Sequence, residues 1–103
     1  MLVDLVTTSD TDDNIIMNWN NSIDVIMHTS PITTTTVTGN IGSKFNGDLY
    51  GLFLEMGIPS EFIYPHILAN GYVNSQDYDG KKLTLTILDQ NTLKNYLNYF
   101  KNI

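Results

Sequence analysis

Eleven carboxylates, two histidines and no cysteine bound the chemistry open to this 103-residue chain. Without thiols there is no disulfide framework, no thiolate zinc site and no sulfur nucleophile. Asp48, Glu55, Glu61, Asp77 and Asp79 are the candidates for a glycoside-hydrolysing pair, which needs two carboxyls ~5–9 Å apart. Asp48 and Glu55 fall two turns apart on one helix, about 10 Å by the helical rise, a poor fit. So small a domain also leaves little room for a deep cleft, and the chain reads as non-enzymatic, with no catalytic residue. His28 and His66 lie far apart, with no carboxylate or cysteine at ligand spacing, so no metal and no other cofactor is expected. His28 suits a helix C-terminus, where the dipole favours a cation. His66, following Pro65, reads as a loop or partly buried residue. Ser75–Gly80 (SQDYDG) echoes a calcium loop, but Thr86 would stand where such a loop needs a bidentate Glu, so it reads as a polar turn. Tyr72 and Tyr78 flank that turn, either as exposed contacts or as anchors of their own loop.

Five basic residues against eleven acidic ones leave a net charge of −6, and all five are Lys. That excludes a nucleic-acid or anionic-membrane binder built on Arg forks and basic patches. A hydrophobic share of 42% argues for a core rather than disorder. Met1–Ser9 (MLVDLVTTS) lacks a basic start and is interrupted by Asp4, so it does not read as a signal peptide. No apolar run approaches the ~20 residues of a membrane span.

The elements follow from periodicity and punctuation. Ser9–Asn14 is an acidic turn in which Asp12 or Asp13 caps a helix. From Asn14 to His28, the residues Ile15, Ile16, Trp19, Ile23, Ile26 and Met27 fall within roughly a third of the helical circumference. Ser30-Pro31 stops that helix. Ile32–Thr38 is β-branched throughout and predicts a strand, and Gly39–Gly47 predicts a loop. Asp48 caps a second helix to Met56, closed by Gly57 as a left-handed cap. Ser60–Ala69 predicts a third, kinked or split at Pro65. After the Asn70–Gly80 loop come the strand Leu83–Leu88 and the helix Gln90–Asn102, capped by Asp89. The fold class is α+β. Residues 1–31 form an N-terminal helical extension, 32–88 a core and 89–103 a C-terminal helix, all in one compact domain.

Within this order, Asn46–Leu85 resembles the LysM domain, a small β-α-α-β module. Gly47-Asp48 stand at or beside the family's Gly-Asp. Leu49 and Leu52-Phe53 match the apolar face of its first helix, and Gly57 the glycine between helices. Asn70-Gly71 match the asparagine closing the second helix, and Gly80-Lys81-Lys82-Leu83-Thr84-Leu85 its second-strand signature. The resemblance implies that Ile32–Thr38 pairs antiparallel with Leu83–Leu88, flanked by N- and C-terminal amphipathic helices as additions to the family core. It also implies a groove in which Gly47, Asp48 and Leu49 face Asn70, Gly71 and Tyr72. In sugar-binding members that groove holds N-acetylglucosamine units of peptidoglycan or chitin. LysM-like modules also serve as protein-contacting parts of tailed-phage baseplates and tails. The acidic, Arg-free composition, with helices on both flanks, is similar to that group.

The resemblance therefore implies a virion structural component that contacts other assembly subunits and is assembled in the host cytoplasm, with cell-wall glycan binding as the alternative. The helix stripe points the same way. Burying each such side chain is worth ~1.5–3 kcal/mol, and six exceed what so small a core covers comfortably. The stripe needs a buried surface within the domain or on another chain. At least part of Ile15, Trp19, Ile23 and Ile26, with Trp19 as aromatic anchor, is expected against a neighbouring subunit, with Tyr96 and Tyr99 of the last helix as second candidates.

Overall fold

The computed structural model describes residues 13–102, so the readings of Met1–Ser9 and of Asp12 as a cap lie outside the described residues. Helix α1, Asp13–Thr29, is followed by strand β1, Ile32–Thr36. Two short helices come next, α2 at Gly39–Lys44 and α3 at Leu49–Glu55. A 3₁₀ turn at Ser60–Phe62 runs into α4, Ile63–Ala69. A second 3₁₀ turn, Ser75–Asp77, precedes strand β2, Thr84–Leu88, and helix α5, Gln90–Lys101. The fold is α+β, with β1 and β2 antiparallel in the register Ile32↔Leu88 to Thr36↔Thr84.

Local chemistry explains most boundaries. The Asp48 and Asp89 carboxylates accept the backbone N–H of Gly51 and Thr92, each in the N-cap position that closes a helix start. Gly57 takes φ +90°, as a left-handed helix end requires. Pro65 does not break α4. It falls in the first turn, where a missing N–H has no intrahelical partner to lose, and the split comes earlier, at the 3₁₀ turn.

The Gly39–Gly47 stretch is not wholly loop. Thr38 Oγ1 accepts the Ile41 N–H at 3.2 Å and starts α2. Glycine is needed there for packing: a Cβ on Gly42 would stand 2.4 Å from the Gly80 carbonyl oxygen, and one on Gly80 would be 2.5 Å from the Gly42 carbonyl. The two backbones touch directly.

Helix α4 lies at the centre, packing on α1, α3 and β2, while α5 packs on α1. This corrects the expectation that the α1 stripe awaits a partner. Trp19 is 1% exposed and meets Phe100 of α5 edge-on at 4.9 Å. Ile15 and Ile26 are equally part of the chain's own core, and Ile23 packs against it. Helix α1 packs on both α4 and α5, so the chain itself supplies the surface the stripe requires. Asn20 Nδ2 adds a tie by donating to the Tyr64 hydroxyl at 2.8 Å. Among the described residues, no helix is long and apolar enough to cross a membrane.

Candidate functional site

The hydrogen bonding of the two-stranded sheet gives its two edges opposite characters. The Val37 N–H donates to the Leu83 carbonyl at 2.9 Å, continuing the register. Antiparallel pairs alternate between hydrogen-bonded and non-bonded, so Thr33, Thr35 and Val37 direct their backbone groups at β2. Ile32, Thr34 and Thr36 direct theirs away from it. On the other strand, Thr86 and Leu88 face outward in the same way.

That outer edge of β2 is closed by α4. The Asn70 side chain accepts the Thr86 N–H at 2.7 Å and donates to the Thr86 carbonyl at 3.0 Å, as a neighbouring strand would. It also donates to the His66 carbonyl at 2.8 Å. One turn earlier, His66 Nε2 accepts the Leu88 N–H at 3.0 Å, while Nδ1 lies 2.8 Å from the Phe62 carbonyl. Accepting at Nε2 places the proton on Nδ1, so the two bonds together define one neutral tautomer. His66 is fully buried, with Phe53 at 5.5 Å between ring centres, and burial holds its pKa below the ordinary value despite its bonds to Phe62 and Leu88. This imidazole is a brace. Both nitrogens are committed, and neither reaches solvent to move a proton or hold a metal.

No such cover exists on β1. All five residues, Ile32–Thr36, are exposed on both faces of the strand. Among the described residues, nothing bonds to the outward groups of Ile32, Thr34 and Thr36. The residues expected to line a groove are placed differently. Leu49 is fully buried in the core, and the Asn70 amide is spent on Thr86 and His66. Asp48 is exposed but caps α3. The chain's own Ser75–Tyr78 segment contacts residues at both Gly47–Leu49 and Asn70–Tyr72, with the Tyr78 ring against Tyr72. Ser75 Oγ accepts the Tyr50 N–H at 2.8 Å, and the Tyr78 carbonyl accepts the Gly47 N–H at 2.6 Å.

Tyr78 is therefore a loop anchor. Its hydroxyl donates to the Lys82 carbonyl at 2.8 Å, and burial, with Tyr72 and Asp79 alongside, pushes its pKa up. Tyr72 packs edge-on against it at 5.8 Å and keeps part of its surface in solvent. Burial, and then the Asp79 charge, raises its pKa too. Gly71 is exposed in a left-handed turn. Of the two expected contacts on α5, Tyr96 packs on the core, whereas Tyr99 is 63% exposed.

The sequence reading missed His66 as a brace and β1 as a bare edge. The run of four threonines was the available signal for the second. Nothing in the local pattern marks the first, because its partner strand lies 22 residues away. Among the described residues, no three His, Asp or Glu side chains gather closely enough to hold a metal ion. Compared with protein-family models, curated proteins and solved structures, the chain shows no significant match.

Proposed function

We propose that this chain is a non-enzymatic structural subunit that acts through protein–protein contacts, as a LysM-like component of a phage tail, baseplate or connector. The observation that carries the reading is the bare β1 strand. An exposed, uncharged sheet edge offers a row of backbone donors and acceptors to another polypeptide, and proteins that act alone usually blunt such edges. The antiparallel pairing of Ile32–Thr36 with Thr84–Leu88, with α3 and α4 between them, supports the LysM-like part of the reading, and α2 is a helix beyond the family's β-α-α-β order.

Glycan binding is the weaker alternative, because Leu49 is buried, the Asn70 amide is committed to Thr86 and His66, and Gly47 is bonded to the chain's own Tyr78. Purified peptidoglycan and chitin oligomers test the choice. The chain is expected to stay unretained, and to be found in purified particles by mass spectrometry. Retention with micromolar affinity, lost on Tyr72→Ala, would replace the assembly role with the glycan one.

A further inference from the structure

We infer that β1 pairs with β1 of a second copy of this chain, antiparallel about a two-fold axis at Thr34, giving a continuous four-stranded sheet. This does not rest on the virion reading, and either can fail without the other. The outward residues Ile32, Thr34 and Thr36 are spaced symmetrically about Thr34. A two-fold pair then sets Thr34 opposite Thr34 and Ile32 opposite Thr36, forming about six backbone hydrogen bonds by the narrow-pair rule. Neither side's existing ladder to β2 is disturbed, because that ladder uses Thr33, Thr35 and Val37.

A second copy suits this edge for three reasons. A two-fold contact demands a self-complementary surface, and Ile32–Thr36 presents near-identical threonines with no charge, proline or bulge. In a chain of net charge −6, a neutral strand is where two copies approach with least repulsion. The ends of the sheet also differ in sign. Lys81 and Lys82 precede β2 at the Thr36 end, and Asp89 follows it at the Ile32 end. The antiparallel pair brings the lysine end of one copy alongside the aspartate end of the other. Three strand spacings, about 14 Å, separate those charges, so screening leaves them a part in choosing direction rather than in holding the pair.

The assembly also stops at two. Each copy's other edge, on β2, is blocked at Thr86 and Leu88 by Asn70 and His66, so no third strand adds and the pair closes without forming a fibre. A two-stranded sheet is marginal alone, and four strands relieve that.

Sedimentation of the full chain over a range of concentrations, combined with amide hydrogen exchange, tests the inference. Wild type is expected to move from monomer to dimer without larger species, with the amides of Ile32, Thr34 and Thr36 protected only in the dimer. Thr34→Lys sets like charges against each other on the axis, and Thr34→Pro removes an outward donor while sparing the ladder to β2. Both are expected to abolish the dimer with an unchanged circular dichroism spectrum. Should the proline variant fail to fold, the lysine variant still decides. A monomer at every concentration overturns the inference, as does a dimer that survives Thr34→Lys or leaves the Thr34 amide unprotected. Concentration-independent protection of Thr34 in a monomer would assign the edge to another stretch of the same chain, and overturns it equally.

Discussion

Along β2 the outward backbone of Thr86 and Leu88 meets Asn70 and His66, whereas along β1 the outward backbone of Ile32, Thr34 and Thr36 has no partner among the described residues. The strands belong to one ladder and share its geometry, so the contrast comes from what packs beside each. Helix α4 runs along β2 and supplies, at positions four apart, an amide and an imidazole whose acceptors and donors imitate a third strand. Among the described residues nothing comparable reaches β1, whose threonines lie outside the core on both faces. Three outward backbone groups of the sheet edge, the Thr86 N–H and carbonyl and the Leu88 N–H, are thus met here by side chains in the manner of another strand. The cost is a buried polar pair with little tolerance for change.

That contrast can be broken hardest at His66. His66→Ala removes the acceptor for the Leu88 N–H and leaves a cavity beside Phe53. A loss of about 3–5 kcal/mol is expected in urea unfolding, combining cavity and unsatisfied-donor costs. Asn70→Ala keeps more of the packing but strands both backbone groups of Thr86, and about 2–3 kcal/mol should be lost by the same measurement.

Acidification sharpens the contrast more gently. Because burial lowers the folded-state pKa of His66, the unfolded chain takes up this proton first as pH falls. The contribution is intact above the ordinary histidine pKa of about 6.5 and is lost progressively below it, until folded His66 itself protonates. The unfolding midpoint should therefore fall between about pH 7 and pH 5, and the part due to this group should vanish in His66→Gln. The smallest effect belongs to the bare edge. Thr34→Ala should change the monomer's stability by no more than about 0.5 kcal/mol, measured at low concentration, because the side chain is exposed.

The sequence made much of the frame legible, because its signals are local. Helical periodicity of the apolar residues marked α1 to within a residue at each end, Gly57 marked its helix end, and the β-branched runs marked both strands, while their antiparallel pairing came only from the family resemblance. Helix α2 was hidden because its glycines read as loop, although Thr38 three residues before Ile41 was a capping signal in plain view. The site was harder. Trp19 advertised an apolar face but not which surface would cover it, and only the placement of Phe100 decides that. His66 and Asn70 carry no local mark of their strand-like role, since that role exists only once β2 arrives beside α4.

The separations of these bonds also imply an order of assembly. The bridge from Asn70 to Thr86 spans 16 residues, while the contact from Thr36 to Thr84 spans 48. Closing the longer loop from a flexible chain costs about 1 kcal/mol more in chain entropy. Docking of β2 on α4 is therefore the earlier and cheaper event in the folding search, and β1 zips onto a strand already held in place. By the same reasoning β1 is the first strand to peel away, leaving β2 clamped to its helix.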